Sequence, residues 1–171
     1  MDFLKQFMIP FSGLSLGNHD FQFKITNEFF EHFGYSEIED ANIEVKVLLD
    51  KQGSMLVFDF DIHGEVDFIC DRCQDIFSME IEGRERLIIK FSGDQAEQTD
   101  EIIILPLSDN KIDLSQHLFE YINLLFPYKR VHPDDNNGVS QCNKEMIEKL
   151  KSLEKTQQFD PRWDALKKIN T

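Results

Sequence analysis

Residues 56–68 read LVFDFDIHGEVDF, and their alternation decides the class of fold. Apolar side chains fill every even position from Leu56 to Phe68 except Gly64, while acidic side chains and His63 fill most odd positions. Side chains of a β-strand alternate between its two faces, so this pattern places one face against a core and the other in water. A helix would spread the same apolar groups around its whole circumference. The stretch therefore predicts a long strand, with Gly64 expected to mark a bulge or bend.

Shorter apolar stretches on both sides of this one predict further strands. They are residues 21–25, residues 43–47 before a turn at 50–53, a strand from Phe77 toward Phe91, and a short buried strand at Glu101–Leu105 ended by Pro106. Residues 92–100 have no periodicity and predict a polar loop. The first 105 residues are thus expected to consist of strands and their connections.

Farther along the chain, apolar residues recur at the helical spacing of three and four. The first helix is predicted at about 113–126, with Asp113 as its N-cap in a capping-box spacing and Pro127 as its stop. A second helix is predicted at about 141–155, and Asp160-Pro161 is typical of the start of a third.

These elements predict an α+β protein, a mostly antiparallel β-sheet or partial barrel with C-terminal helices. The predicted domains are a β-rich domain with one packed helix at 1–140 and a helical C-terminal tail at 141–171.

The formal net charge of −14 is unevenly distributed. Residues 144–171 contain seven basic and five acidic residues, a net of +2, so the remainder carries −16. Such a body repels phosphate backbones and suits a basic protein partner, although acidity that serves only solubility is the alternative.

Targeting signals and cysteine usage predict a cytoplasmic protein. No apolar run reaches the roughly 18 residues of a membrane span, and residues 1–6 lack the features of a signal peptide. The three cysteines are too few, and odd in number, for a disulfide framework, which fits a reducing compartment.

The compact motif Cys70-Asp71-Arg72-Cys73 lies between two predicted strands. A redox C-x-x-C begins a helix, whose N–H groups lower the thiol pKa, and that setting is missing here. Two thiols on a hairpin turn instead form half of a tetrahedral zinc site. The remaining candidates, His132 and Cys142, complete a Cys₃His set with Cys70 and Cys73. Reduced, metal-free thiols are the alternative, and redox chemistry is the least favoured interpretation.

Other polar residues are assigned to the surface. His63 and the acidic run along the same strand are expected on a solvated face, because neighbouring same-face side chains diverge and the calcium-loop spacing is absent. Tyr128-Lys129-Arg130 is a weak candidate for contact with a partner or RNA. The sequence has no phosphate-binding loop and no H-E-x-x-H motif, so no enzyme activity is predicted.

The order of these features resembles the YceD family, the large ribosomal RNA subunit accumulation proteins. The resemblance covers about residues 40–170 and rests on short motifs in sequence: the Cys70/Cys73 hairpin, the strand Glu101–Leu105, Asp113-Leu114, Glu120 with Leu124 and Pro127, and the region from His132. The ending Asp160-Pro161-Arg162-Trp163…Leu166 is similar to that of Bacteroidetes-type members.

One departure from the family concerns the metal ligands. Many members carry further cysteines after the proline, in a C-x3-C…G-L-C pattern, where this chain has His132, Gly138 and Cys142. A four-cysteine site is therefore excluded, and the Cys₃His version is a hypothesis.

The resemblance implies a factor for accumulation or processing of large-subunit ribosomal RNA, without established catalytic residues. The leading hypothesis is a non-enzymatic ribosome-assembly factor that binds a basic ribosomal protein or an assembly intermediate. The alternatives are an RNA-binding module that uses the basic tail and Tyr128-Lys129-Arg130, and a metal-dependent hydrolase at the Cys/His cluster.

Overall fold

The computed structural model describes residues 3–35, 37–92, 102–106 and 108–154. The strands are β1 (Met8–Ile9), β2 (Gly17–Thr26), β3 (Ile38–Lys51), β4 (Met55–Ile69), β5 (Ile76–Ser92), β6 (Ile102–Pro106) and β7 (Ile112–Asp113). The α-helices are α1 (Asn27–His32), α2 (Ser115–Leu125) and α3 (Lys144–Glu154), and two short 3₁₀ helices span Phe3–Phe7 and Phe11–Gly13.

The strands form a five-stranded sheet in the order β2-β3-β4-β5-β6 and a two-stranded sheet of β1 and β7. Strands β2 to β5 are antiparallel neighbours, whereas β6 runs parallel to β5. The predicted α+β class with a mostly antiparallel sheet is confirmed. The five-stranded sheet does not close into a barrel.

The alternation in residues 56–68 produces one buried face of this sheet. Leu49, Phe58 and Leu87 lie side by side on β3, β4 and β5, and all three are buried. On the opposite face, Asp59 lies beside Arg86, and these side chains form an ion pair. Each alternate position therefore adds either a core contact or a solvated group.

Helix α2 packs on the buried face of the sheet. Leu118 and Ile122 are fully buried, and the ring of Tyr121 contacts that of Phe60 edge-on at 5.2 Å between centroids. At Gly83, a Cβ atom would lie only 2.4 Å from a methyl carbon of Leu125. The absence of a side chain on β5 thus allows the last turn of α2 to approach the sheet.

Two details of the β-region differ from the sequence prediction. Helix α1 lies within the part of the chain that was expected to contain only strands and connections. The sequence did not predict it, because six residues are too few to display a helical period. Its Phe29 and Phe30 are both buried. Gly64 is not a bulge, since it pairs in register with Ile43 and Ile81. A Cβ there would lie 2.4 Å from the carbonyl oxygen of Asn42, so Gly64 permits a close approach of β3 to β4.

The short strand predicted at Glu101–Leu105 is present as β6, but it is less buried than expected. Ile103, Ile104 and Leu105 are all half-buried. The strand lies at the edge of the five-stranded sheet and pairs only with β5 within it, so its other side is less covered.

The N-terminal ends of the later helices also differ from prediction. Asp113 belongs to β7, and Leu114 is the N-cap of α2, although Asp113 Oδ1 accepts the N–H of Ser115 at 2.9 Å. Asp113 therefore accepts a hydrogen bond from a backbone N–H of the first turn, as predicted for an N-cap, but it lies one residue before the N-cap position. The second helix begins at Lys144 rather than 141, with Asn143 Oδ1 accepting the N–H of Glu145 at 3.1 Å. Of the loop predicted at 92–100, Ser92 is instead the last residue of β5, and residues 93–100 lie outside the described residues. The helix predicted at Asp160-Pro161 also lies outside them.

The chain separates into two compact units. The first consists of the described residues within Met1–Ile69 and Ile76–Arg130 and contains both sheets. The second consists of those within Cys70–Asp75 and Val131–Thr171 and contains α3. The domain boundary at residue 140 stays a prediction. Among the described helices, none is both long and apolar enough to cross a membrane.

Candidate metal centre

The turn after β4 folds so that two thiols approach each other. The N–H of Cys70 donates to the carbonyl oxygen of Asp75 at 2.9 Å, and the N–H of Gln74 donates to the carbonyl oxygen of Cys70 at 2.9 Å. Gln74 adopts a left-handed backbone conformation with φ of 65°, which closes the turn. This is the hairpin knuckle expected of Cys70 and Cys73, and both side chains are buried.

A small hairpin at residues 133–141 supplies the second half of the cluster. Asp134 and Ser140 form a β-bridge, and the N–H of Asp135 donates to the carbonyl oxygen of Val139 at 2.8 Å. Asp135 Oδ1 accepts the N–H groups of Asn137 and Val139, and these bonds lower the pKa of its carboxyl group. The N–H of Gln141 also donates to the carbonyl oxygen of Pro133 at 3.3 Å, so the two ends of the hairpin lie close together.

His132 and Cys142 flank this hairpin, and their side chains meet the two thiols of the knuckle. The Sγ atoms of Cys70 and Cys142 are 3.6 Å apart, and His132 Nδ1 lies 3.5 Å from Cys73 Sγ and 3.7 Å from Cys142 Sγ. All four ligand atoms lie within 4.8 Å of one another. The structure thus brings together the four residues that the sequence predicted as one set.

These separations match those of a tetrahedral metal site. With Zn–S of about 2.3 Å and Zn–N of about 2.0–2.1 Å, a tetrahedron separates two sulfurs by about 3.8 Å and a sulfur from a nitrogen by about 3.6 Å. The observed sulfur–sulfur distance of 3.6 Å and the sulfur–nitrogen distances of 3.5 and 3.7 Å are close to these values. Nδ1 is the His132 atom that faces the thiols, so Nε2 would carry its proton. The cluster can hold a metal ion.

The thiols of Cys70 and Cys73 differ in how readily they ionise. Burial opposes ionisation of Cys70, but backbone N–H groups of Cys73 and Arg72, together with His132, outweigh it and lower the pKa of Cys70 to about 6. Burial dominates at Cys73 and raises its pKa, against the N–H groups of Asn143 and Asp75. A metal ligand must be deprotonated, so Cys70 is better prepared than Cys73 for an incoming cation.

Two residues around the cluster were not predicted from the sequence. Arg72 Nε donates to Cys142 Sγ at 3.1 Å, and its terminal nitrogen donates to Ser140 Oγ. The bond to Cys142 raises the pKa of the Arg72 guanidinium. The sequence did contain a signal for Arg72: a cationic side chain between two candidate thiolate ligands can offset their negative charge.

The other predicted residues lie on the first unit. His63 is exposed on the polar face of β4, where its ring contacts Asp61 Oδ1 at 2.9 Å. Tyr128 and Lys129 are exposed, whereas Arg130 donates to Glu37 Oε2 at 2.8 Å and covers the ring of Phe68 at 5.4 Å. The three consecutive residues therefore do not form one uniform exposed patch.

The sequence model of the family described as Large ribosomal RNA subunit accumulation protein YceD matches residues 58–170. The chain belongs to the YceD family. The match covers β4 from Phe58 onward, the Cys70/Cys73 turn and all four residues of the metal cluster. No curated protein and no solved structure matches the chain.

Membership of the YceD family implies a role in accumulation of the large-subunit ribosomal RNA. The family is described by this role and not by a catalysed reaction. The Cys₃His cluster, a candidate metal centre, lies inside the region that the family model matches.

Proposed function

We propose that this protein is a non-enzymatic factor that supports the accumulation and processing of large-subunit ribosomal RNA by binding a basic ribosomal protein or an assembly intermediate in the cytoplasm. The observation that carries the proposal is the YceD match over residues 58–170. The charge of the sheet supports a basic partner.

Carboxylates are concentrated on one half of the polar face of the five-stranded sheet, here called the acidic half-face. It consists of Asp40, Glu44, Glu65, Asp67, Glu80 and Glu82. Two of its pairs are directly opposed across neighbouring strands, Asp40 with Asp67 and Glu65 with Glu80. Directly opposed like charges destabilise a sheet, and a bound basic segment would relieve this repulsion.

The other half of the same face is neutralised from within. Arg86 Nε lies 2.6 Å from Asp59 Oδ1, and Arg84 Nε lies 3.4 Å from Asp61 Oδ1. This half provides a matched control, because its carboxylates Asp59 and Asp61 each have an arginine beside them, whereas Glu65 and Glu80 lie beside each other.

The role in RNA accumulation is tested by removing the gene. We expect unprocessed large-subunit RNA to accumulate and free large subunits to decline, with recovery when the wild-type chain is supplied. Normal subunit profiles and normal RNA processing in the deletion strain would refute the proposed function.

The partner surface is tested with charge-neutralising pairs of substitutions. Glu65→Gln with Glu80→Gln should weaken co-sedimentation with large-subunit precursors and leave the sheet folded, because it removes a like-charge pair. Asp59→Asn with Asp61→Asn should retain co-sedimentation. Equal binding by both double variants would exclude the acidic half-face as the partner surface.

We further propose that the Cys₃His cluster is a structural zinc centre. Sulfur and imidazole ligands with tetrahedral separations favour zinc among the common divalent cations. Four protein ligands fill the tetrahedron and leave no open position for substrate, in contrast to a catalytic zinc. This supports a binding protein over a metal-dependent hydrolase.

Zinc is tested by elemental analysis of protein purified without chelators. We expect one zinc per chain in the wild type and none in the Cys70→Ser, Cys73→Ser double variant. Metal-free wild-type protein would refute the zinc centre without bearing on the role in RNA accumulation, since the two are measured separately.

A second candidate function is direct contact with RNA, favoured by the complete exposure of Tyr128 beside exposed Lys129. An exposed aromatic ring next to a cation can stack on an unpaired base while the cation contacts phosphate. RNA affinity should then fall steeply with salt and with the Tyr128→Ala, Lys129→Ala double variant. Binding unaffected by both would exclude this contact.

A further inference from the structure

Arg72 belongs to the knuckle by sequence but contacts the opposite ligand segment. It stands between Cys70 and Cys73, yet its Nε donates to Cys142 Sγ at 3.1 Å. Its terminal nitrogen donates to Ser140 Oγ, which also accepts the N–H of Cys142 at 3.2 Å. Arg72, Ser140 and Cys142 thus form a closed ring of hydrogen bonds that joins the two halves of the cluster.

The three thiols are supported by different kinds of donor. Cys70 receives backbone N–H groups from Cys73 and Arg72, and Cys73 receives backbone N–H groups from Asn143 and Asp75. Cys142 receives the guanidinium of Arg72, which carries a full positive charge. Its support therefore depends on a side chain that can be substituted without changing the backbone.

Charge gives this contact a second role. Three thiolates and one neutral imidazole around a divalent cation carry a net charge of −1, which the guanidinium offsets. An N–H donor also withdraws electron density from a metal-bound thiolate and lowers its nucleophilicity.

We propose that Arg72 is the positioning residue of the metal centre: it places Cys142 on the metal and suppresses the reactivity of that thiolate. The inference rests on the proposed zinc centre. It assigns to Arg72 a role specific to one of the three sulfurs, which separates it from general stabilisation of the turn.

The test compares Arg72→Gln and Arg72→Lys with the wild type, with Arg86→Gln as control. Arg86 is also an arginine in a short ion pair, but it lies on β5 and pairs with Asp59. Zinc affinity is measured by chelator competition, and alkylation of each cysteine in the zinc-loaded protein is followed by mass spectrometry. The cobalt-substituted protein supplies a sulfur-to-metal charge-transfer spectrum that reports directly on the thiolates.

Arg72→Gln should lower zinc affinity by about 10- to 100-fold, the usual effect of removing an outer-sphere partner. Alkylation of Cys142 should accelerate more than that of Cys70 or Cys73, and the charge-transfer band should move to lower energy. Arg72→Lys, which keeps the charge, should recover part of the affinity, and Arg86→Gln should match the wild type.

Unchanged affinity and unchanged Cys142 alkylation in Arg72→Gln would overturn the inference. Equal acceleration at all three cysteines would also overturn it, because that result indicates loosening of the whole cluster. If Arg72→Gln does not fold, the alkylation order and spectrum of Arg72→Lys decide, and values identical to the wild type overturn the inference. Wild-type protein that binds no zinc overturns both proposals, whereas a zinc-binding wild type with a normal Arg72→Gln variant overturns only this one.

Discussion

The two units of the chain bury different kinds of side chain. In the first unit, alternating apolar residues of β3, β4 and β5 form a core in which Phe58, Ile62 and Phe68 are fully buried. In the described part of the second unit, the only buried residues are Cys70, Cys73 and Cys142. The first unit therefore has an extensive apolar core, whereas the described residues of the second unit bury only potential metal ligands.

This difference identifies what must hold each unit together. Burial of apolar surface stabilises a fold in proportion to its area, at about 25 cal/mol per Å², and the first unit has an abundance of such surface. A segment as short as the second unit does not reach stability by apolar burial alone, and small units of this kind depend on disulfides or metals. The chain has no disulfide, since all three cysteines are free. The comparison thus favours a metal as the source of stability for the second unit.

Removal of the metal should change the relative stability of the two units more than any other treatment proposed here. A structural zinc contributes about 10–16 kcal/mol in small zinc-binding domains at neutral pH, so chelation should unfold residues 131–154 and the Cys70–Asp75 turn. Hydrogen exchange should accelerate there, while strands β3 to β5 keep their protection. Added zinc should restore the original pattern. Unchanged exchange in both segments after complete chelation would contradict the proposed source of stability.

The core of the sheet should show the next largest effect. Phe58 is fully buried, so Phe58→Ala should lower the free energy of unfolding by about 3–5 kcal/mol through lost apolar contact and a new cavity. Leu48→Ala is the control, because Leu48 is 37% exposed on the polar face of β3. Urea unfolding followed by circular dichroism measures both, and the control should change stability by only about 0.5 kcal/mol. Equal losses in the two variants would show that the two faces do not differ as described.

Close strand approach should give an effect of intermediate size. A methyl group at Gly64 would lie 2.4 Å from the Asn42 carbonyl oxygen and 2.5 Å from the Ile43 Cα, so backbone atoms must move. Gly64→Ala should therefore destabilise the protein by about 1–3 kcal/mol. At Gly53 nothing lies within 4 Å of such a methyl group, and Gly53→Ala should be neutral or slightly stabilising. Comparable thermal stability of the two variants would contradict the close approach.

The sequence predicted best where a pattern extends over many residues. The alternation in residues 56–68 has many repeats, so the strand, its buried face and the sheet class all followed from it. Helix α1 has only six residues, and its adjacent Phe29 and Phe30 resemble a strand as much as a helix. The bulge predicted at Gly64 was wrong, because a glycine in a strand can mark either a bulge or a close approach of a neighbouring strand. The position of the Asn42 carbonyl oxygen identifies the close approach.

The metal cluster was predictable for a different reason. Few residues in the chain can bind zinc through sulfur, so elimination reduced the set to Cys70, Cys73, Cys142 and a histidine. Their proximity depends on the hairpin at residues 133–141, whose Asp134–Ser140 bridge follows no simple sequence rule. The contact of Arg72 with Cys142 likewise depends on long-range geometry, since the two residues are 70 positions apart.

The smallest predicted effect is a pH dependence of the stability of the first unit. His117 on α2 is half-buried, and burial lowers its pKa from the ordinary value of about 6.5, against the nearby charges of Glu120 and Asp113. Its ring also lies 6.2 Å from that of Tyr121, which contributes no charge at these pH values. The unfolded chain therefore takes up this proton more readily than the folded protein does.

The sign of the effect follows from this difference in proton affinity. The stability contributed by neutral His117 is complete above pH 6.5 and is lost as the pH falls through the lower pKa of the folded state, at no more than about 1.4 kcal/mol per pH unit. His117→Gln cannot take up a proton, so the wild type should lose stability relative to this variant below pH 6.5. Urea unfolding of both proteins between pH 5 and 8 measures the difference. Parallel stability curves would mean that His117 has the same pKa in the folded protein as in the unfolded chain. Water would then reach the packed side of α2 more readily than the burial of Leu118 and Ile122 indicates.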